Sequence, residues 1–301
     1  MVSENDALFV QVGAGYRKHV PRPKAPTVWQ RIRRWPLLSI LVLFAIVMAC
    51  VFAPLLANHD PKGFYYDALN KAPNAEYYFG TDTLGRDLYS IMLFGGRASL
   101  VIGILGAAII AVIGIIYGSI SGTAHDTVDS VMMRFTEMFG SIPSLLIILI
   151  LTATFPTKNV ISMSVIIGVT GWLGLSRIVR SEVRQIRNTE YVLYARATGG
   201  RFLYVMWRHL VPNFLSAVMF VIVSSISSCI TTESTLSFLG LGLPVDELSW
   251  GSILSLANKA LITNSWWIII IPGLFLVVTL LCITNIGNFL RKETNRKSSY
   301  L

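Results

Sequence analysis

Six apolar stretches of about 20 residues each dominate this sequence, and a stretch of that length can cross the hydrocarbon core of a bilayer as one α-helix. Only 14% of the 301 residues are charged, whereas a soluble domain usually carries about 25%. A chain this apolar needs lipid as the solvent for part of its surface. We therefore predict an all-α membrane protein with about six transmembrane helices, at residues 37–57, 100–120, 135–153, 160–179, 214–232 and 266–286.

The distribution of Lys and Arg predicts the orientation of these spans. The formal net charge is +9, and the basic residues flank the apolar stretches instead of forming one basic face, which disfavours a nucleic-acid partner. With the N-terminus inside, nineteen Lys and Arg residues lie on the cytoplasmic side and six lie outside. Because cytoplasmic loops carry an excess of Lys and Arg, we expect a multi-pass protein of the cell membrane with both termini in the cytoplasm.

The spans divide the chain into three parts. Residues 1–36 are expected to form an N-terminal cytoplasmic tail, residues 37–290 one transmembrane domain, and residues 291–301 a C-terminal cytoplasmic tail. The first apolar stretch begins too far from the N-terminus for a cleaved signal peptide. The longest cytoplasmic connection, residues 177–213, is expected to form short amphipathic helices.

The sequence disfavours several kinds of function. The three cysteines lie within apolar stretches, the four histidines are scattered, and no G-x-x-x-x-G-K-[S/T] phosphate loop is present. We therefore expect no catalytic residue, no metal site and no cofactor in this chain. An intramembrane enzyme would need a nucleophile or a metal cluster at mid-membrane depth. An ion-driven secondary transporter would favour ionisable residues near the bilayer midplane, whereas Glu137 and Glu233 lie near the ends of predicted spans.

The first informative motif lies in the connection 177–213. It reads E-Y-V-L-Y-A-R-A-T-G from Glu190 to Gly199, and Pro212 follows near the next span. The small side chains of Ala195 and Ala197 would let another backbone approach closely, and Gly199 can end a helix in the left-handed conformation. These features predict a compact protrusion beneath the membrane. An ordinary amphipathic connection is an equally good interpretation of the residues alone.

The second motif, residues 79–87, reads F-G-T-D-T-L-G-R-D and precedes Arg97. Its Gly, Asp and Arg residues predict a tightly folded external segment. We expect internal ion pairs in which Asp82 and Asp87 pair with Arg86 or Arg97. A solvated loop and an anion site are the alternatives.

The third motif follows the fifth span. Glu233 begins the string E-S-T-L-S-F-L-G-L-G, and the tripeptide S-W-G around Trp250 comes shortly after it. A carboxylate at the end of a span is costly unless it is paired or faces water. Glu233 therefore either lines a translocation path or ties down the outer loop, and Arg97 is the partner that we favour over Arg86 and Lys259.

Two further carboxylates, Asp126 and Asp129, lie in a short cytoplasmic loop. We interpret them as part of a solvated turn. Local bridging, or bracing of the connection 177–213, is the alternative.

Taken together, the three motifs resemble the permease subunits of ABC importers of the oligopeptide, dipeptide and nickel class, in particular the partner often labelled "C". Residues 79–87 match the F-G-T-D-x-x-G-R-D signature, and the third motif matches E-x-x-L-S-F-L-G-L-G with S-W-G. Ala195, Gly199 and Pro212 match the E-A-A-x-x-x-G loop of importer permeases, while Leu193 and Tyr194 depart from it. The resemblance covers residues 35–290 and implies the fold of the binding-protein-dependent permeases.

The resemblance also implies a function and a set of partners. The chain would pair with a different but homologous permease, with two cytoplasmic ATPases that bind ATP and Mg, and with an extracytoplasmic binding protein. The substrate would be a peptide, with nickel or a metal chelate as the alternative. The residues expected to couple to the ATPases are Glu190, Tyr191, Tyr194, Ala195, Arg196, Ala197, Gly199 and Pro212. The residues expected at an outer gate or a binding-protein docking surface are Asp82, Arg86, Asp87, Arg97, Glu233 and Trp250.

Overall fold

The computed structural model of the chain describes residues 36–298, apart from residues 156, 200, 201, 206, 207, 209 and 245. Most of the predicted N-terminal tail, residues 1–35, and the last three residues of the C-terminal tail lie outside this part. The described residues form α-helices, and the longest connection between them, residues 57–87, contains a 3₁₀ turn at Tyr66–Ala68. Within them the only β pairing is an isolated bridge between Thr81 and Asp87. The all-α prediction is therefore confirmed.

The helices are numbered here in chain order. They are α1 Leu37–Val51, α2 Ala53–Leu56, α3 Leu88–Thr123, α4 Asp126–Gly140, α5 Ser144–Thr154, α6 Val160–Gly171, α7 Leu173–Ile186, α8 Glu190–Ala197, α9 Phe202–Val205, α10 Val211–Phe238, α11 Trp250–Leu254, α12 Ala257–Ile262 and α13 Trp267–Ser298.

Three of these helices are long and apolar enough to cross a membrane alone: α3, α10 and α13. Two pairs meet the same criteria together but are bent, α4 with α5 by 79° and α6 with α7 by 47°. If each pair is one span, the described residues hold up to five spans, and α1 is a shorter apolar helix of 15 residues. Several apolar spans are therefore established, and the count of six stays a prediction.

The observed helices differ from the predicted spans at three places. The predicted span 135–153 breaks between Gly140 and Ser144, where Pro143 cannot continue the preceding helix. The predicted span 160–179 breaks at Trp172. Helix α13 runs to Ser298, so part of the predicted C-terminal tail continues the last helix.

Helix α3 is the central element of the bundle. It has 36 residues and is therefore about 54 Å long at the usual rise per residue. It packs against α6, α7, α10 and α1 along its length. One apolar core, containing Ile110, Leu175 and Phe214, lies toward its C-terminal half, and a second core, containing Leu88, Trp250 and Trp267, lies around its start. The two ends of α3 carry the two candidate sites.

Candidate functional site

Residues 79–87 form a closed turn immediately before α3. The Asp82 carboxylate accepts hydrogen bonds from the backbone amides of Leu84 (2.8 Å) and Arg86 (2.9 Å), and it pairs with the Arg86 guanidinium at 2.7 Å. Gly80 and Gly85 have φ angles of 76° and 78°, which only glycine adopts readily. The predicted Asp82–Arg86 ion pair is present, and both side chains are buried.

Asp87 ends this turn and caps α3. Its carboxylate accepts hydrogen bonds from the Ser90 backbone amide (3.0 Å) and the Ser90 hydroxyl (2.6 Å), and it lies 3.8 Å from the His59 ring nitrogen. The prediction that Asp87 pairs with an arginine is therefore wrong, because the helix start supplies backbone and hydroxyl donors instead. His59 stacks on Tyr77 at 4.7 Å between ring centres. Burial, with a smaller contribution from Glu76, raises the pKa of the Tyr77 hydroxyl.

Glu233 lies near the end of α10 and is completely buried. One of its carboxylate oxygens accepts hydrogen bonds from the hydroxyls of Ser249 (2.7 Å) and Ser237 (2.9 Å), and the other lies 3.4 Å from the Ser234 hydroxyl. Among the described contacts of this carboxylate, its partners are hydroxyls and not cations. Glu233 thus joins α10 to Ser249, the residue that caps α11.

The predicted pairing of Glu233 with Arg97 is wrong. The Arg97 guanidinium donates to the backbone carbonyls of Cys50 and Val51, both at 2.6 Å, and lies 5.1 Å from the centre of the Phe94 ring. Those carbonyls belong to the last turn of α1, and a cation at a helix C-terminus is electrostatically favourable. Arg97 therefore connects α3 to α1.

The S-W-G tripeptide packs against α3 at Gly96, where α3 has no side chain. Trp250 is completely buried, and its indole N–H donates to the Met92 carbonyl at 2.9 Å. A side chain at Gly96 would come within 2.8 Å of the Trp250 ring, and one at Gly251 would come within 2.6 Å of the Ser234 backbone. Two glycines thus let α11 approach both α3 and α10.

The burial of four residues near the start of α3 bears on the predicted docking surface for a binding protein. Asp82, Asp87, Glu233 and Trp250 all have side chains out of contact with solvent. Direct docking of a binding protein on these four side chains is therefore excluded in this conformation. A role in bracing the surrounding segment is compatible with their contacts.

At the other end of α3, the motif in 177–213 forms the short helix α8, Glu190–Ala197. Val192 and Ala195 face the apolar core, whereas Leu193 and Tyr194 are 51% and 73% exposed. Gly199 follows with a φ of 85°, as predicted from the sequence. The motif therefore forms a short helix followed by a glycine with positive φ, and the exposed face of this helix carries the two residues that depart from the E-A-A pattern. A protrusion beneath the membrane stays a prediction.

The remaining members of the predicted coupling set belong to the same segment. Ala197 is exposed at the end of α8, and Pro212 lies in the first turn of α10, where its missing N–H is harmless. Tyr191 and Arg196 belong to α8, and their side chains lie outside the described part of the chain, as does the whole of Gly200.

Arginines along α7 and directly after it bind residues of α4 and α3. Arg180 pairs with Asp129 through two hydrogen bonds, and Arg184 pairs with Asp129 at 2.9 Å and with Asp126 at 2.8 Å. Arg187 donates to the Gly122 carbonyl at 2.9 Å, at the end of α3. The interpretation as a solvated turn is wrong for Asp129, which is buried, and Asp126, although exposed, lies in α4 and pairs with Arg184. The contacts of both aspartates therefore agree with the alternative, bracing of the connection 177–213.

Sequence reasoning missed three groups of residues at these sites. The serines around Glu233 carry no charge and are common, so nothing in their spacing identified them as its partners. The glycines of α3 did carry a signal, because Gly114, Gly118 and Gly122 form a repeated G-x-x-x-G pattern typical of close helix contacts in membranes. The arginines of α7 were read only as a cytoplasmic charge excess.

The all-helical fold and the apolar helices are those of a multi-pass membrane protein. Residues 113–296 match the family described as "Binding-protein-dependent transport system inner membrane component". The chain belongs to this family.

Similar proteins share most of their length with this chain. It is 32% identical to the oligopeptide transport system permease protein OppC of Bacillus subtilis, over 89% of this chain and 87% of the relative. It is 33% identical to the dipeptide transport system permease protein DppC of the same organism, over 89% and 84%. It is 35% identical to OppC of Haemophilus influenzae, over 98% and 97%.

Proposed function

We propose that this chain is one permease subunit of an ATP-driven ABC importer and forms half of a translocation pathway for peptides. The observation that carries the proposal is similarity to oligopeptide and dipeptide permeases over nearly the whole chain. The motifs that carry the resemblance also form defined structures, namely the capped turn before α3, the Glu233 network and helix α8.

The proposed assembly contains four other proteins. A second, homologous permease would complete the pathway, two ATPase subunits would bind ATP and Mg on the cytoplasmic side, and a binding protein would deliver substrate from outside. The excess of Lys and Arg in 177–213 supports a cytoplasmic position for this segment and for both termini. The described face of α8 supports its role as the ATPase contact, since Leu193 and Tyr194 offer apolar surface to a partner.

The proposed mechanism is alternating access, in which ATP binding moves α8 and the spans follow. Within α8, the exposed residues Glu190, Tyr194 and Ala197 would belong to the contact with the ATPase. Ala195 is buried, so it would pack α8 against the apolar core instead of touching the ATPase, and Gly199 would set the shape of the end of α8. On the outer side, Glu233 would brace the gate through Ser237 and Ser249, whose hydroxyls join α10 to the start of α11. The same region would be held against α1 and α3 by Asp82, Arg86, Asp87, Arg97 and Trp250.

Affinity purification and reconstitution test this proposal. The tagged chain, isolated in detergent from its native membrane, should carry a second permease and ATPase subunits with it. After reconstitution with the binding protein encoded beside it, the complex should take up a radiolabelled tripeptide only when ATP is supplied.

The same assay separates the alternatives. Uptake of a nickel chelate instead of the peptide would support the metal-chelate permease. Peptide uptake by the chain without any ATPase, driven by an ion gradient, would show a secondary transporter and refute the proposal.

A further inference from the structure

The buried carboxylate of Asp129 is the centre of an ion-pair cluster that joins three helices. It lies on α4 and accepts hydrogen bonds from the Ser121 hydroxyl of α3 and from the guanidinium of Arg180 on α7. The Arg184 guanidinium, one turn further along α7, lies 2.9 Å away. The Asp129 side chain is only 3% exposed, so its bonds to α3 and α7 are shielded from competing water.

Beside this cluster, α3 and α7 are in close contact through glycines. Side chains at Gly118 and Gly122 would come within 2.8 Å of the Cβ atoms of Val179 and Val183 respectively, and one at Gly114 would come within 2.9 Å of Leu175. These positions recur every four residues on both helices, so the contact continues over two turns. Because α3 has no side chains at these positions, its backbone lies directly against α7.

Arg177 of α7 and Arg187, which directly follows α7, extend the connection. Arg187 donates to the Gly122 and Ala124 carbonyls at the C-terminal end of α3, at 2.9 and 3.3 Å. Arg177 donates to the Thr136 carbonyl of α4 at 3.1 Å. With Arg180 and Arg184, these residues are spaced three and four positions apart and therefore lie on one face of α7.

Helix α8 follows α7 after only three residues, and the connection is hydrogen-bonded. The Arg187 amide donates to the Val183 carbonyl at 2.8 Å, the Thr189 amide to the Ile186 carbonyl at 3.0 Å, and the Leu193 amide to the Thr189 carbonyl at 3.0 Å. A displacement of α8 would therefore be passed to α7 with little loss in the connection.

We propose that Asp129 is a positioning residue for transport, which joins α4 to α7 so that motion received at α8 carries α7, α4 and α3 as one body. The inference rests on the proposed function, in which α8 receives that motion from an ATPase. Without the Asp129 carboxylate, Arg180 and Arg184 would lose their shared partner, and α7 would be free to shift against α4.

The test compares Asp129→Asn with Asp126→Asn in the reconstituted complex. Both changes remove one carboxylate from α4, and both carboxylates bind Arg184, but Asp126 is 81% exposed whereas Asp129 is buried. The measured quantity is the amount of labelled tripeptide transported per ATP hydrolysed, for equal amounts of assembled complex. We expect this ratio to fall about tenfold in Asp129→Asn, within the range found for mutations along coupling networks, and to stay at the wild-type value in Asp126→Asn.

A second variant covers the case in which Asp129→Asn does not assemble. Arg180→Lys keeps the charge but loses the two-point contact with Asp129, and the Arg180 side chain is partly exposed. We expect a smaller fall in the same ratio. An unchanged ratio in every variant that assembles, or a fall equal to that of Asp126→Asn, would overturn the role of Asp129. Absence of ATP-driven peptide uptake by the wild-type complex would instead refute the proposed function.

Discussion

Replacement of Glu233 tests whether the structure around it depends on hydrogen bonds or on charge. Its Oε1 atom accepts from both the Ser249 and Ser237 hydroxyls, and a glutamine side chain can place its amide oxygen at that same position. The amide NH₂ would then face the Ser234 hydroxyl, which can accept a hydrogen bond. We therefore expect Glu233→Gln to cost no more than about 1 kcal/mol of stability.

Glu233→Leu removes the acceptor altogether. The Ser237 hydroxyl can turn to a carbonyl of its own helix, but Ser249 precedes α11 and has no such preceding turn. A buried donor without a partner costs about 1–3 kcal/mol, so the total loss should be about 2–4 kcal/mol when partial relief at Ser237 is included. The effect should appear as a less stable contact between α10 and α11.

Thermal unfolding of the purified chain in detergent measures both variants. Because 1 kcal/mol corresponds to about 2–4 °C in a protein of this size class, we expect Tm to fall by about 4–16 °C for Glu233→Leu and by at most about 4 °C for Glu233→Gln. The double exchange Glu233→Arg with Arg97→Glu should rescue nothing, since Arg97 binds α1 carbonyls. Equal Tm losses for Gln and Leu, or rescue by the exchange, would refute this explanation.

Three other predictions concern the C-terminal end of α3 and the orientation of the chain in the membrane. Gly199→Val should abolish uptake while the chain still inserts into the membrane, because the φ angle of residue 199 is positive. Gly199→Asn should retain uptake, since Asn tolerates this conformation. Equal uptake by the two variants would contradict the role of the backbone conformation. Gly118→Ala places a methyl group 2.8 Å from the Val179 Cβ atom and should destabilise the chain by about 1–3 kcal/mol in thermal unfolding; an unchanged Tm would show that α7 can move away freely. On a cysteine-free background, an impermeant thiol reagent applied to intact cells should label Lys259→Cys but not Tyr204→Cys, both of which are exposed; the reverse pattern would invert the proposed topology.

The sequence predicted the positions of the helices better than the directions of their axes. The apolar stretches had the right positions because the burial of apolar side chains in lipid depends on composition alone. Composition does not determine the direction of a helix axis, so the bends of 79° after Gly140 and 47° at Trp172 were not predicted. Pro143 was the available signal for the first bend, since proline disrupts the turn that precedes it.

The candidate sites show the same division between local and distant interactions. The Asp82–Arg86 pair and the conformation of Gly199 depend on neighbouring residues, and both were predicted correctly. Asp129 has its partners on other helices, and Glu233 binds Ser249 at the start of α11 besides the serines of its own helix. A buried carboxylate requires donors, but the sequence does not say whether these are cations or hydroxyls. That choice is made by packing, which brings serines to Glu233 and arginines to Asp129.

Helix α3 connects the two sites by similar means at both ends. Near its start, Gly96 allows Trp250 to lie against the helix, and Arg97 holds the end of α1. Near the C-terminal end of α3, Gly118 allows α7 to lie against it, and Arg187, which directly follows α7, binds the Gly122 carbonyl of α3. Close packing resists compression, so in the proposed mechanism a displacement of α7 would pass through the glycine contact into α3. Helix α3 would then carry that displacement to the segment that Glu233 and Trp250 hold together. Coupling over this distance requires no flexible intermediate, only a helix with close contacts at both of its ends.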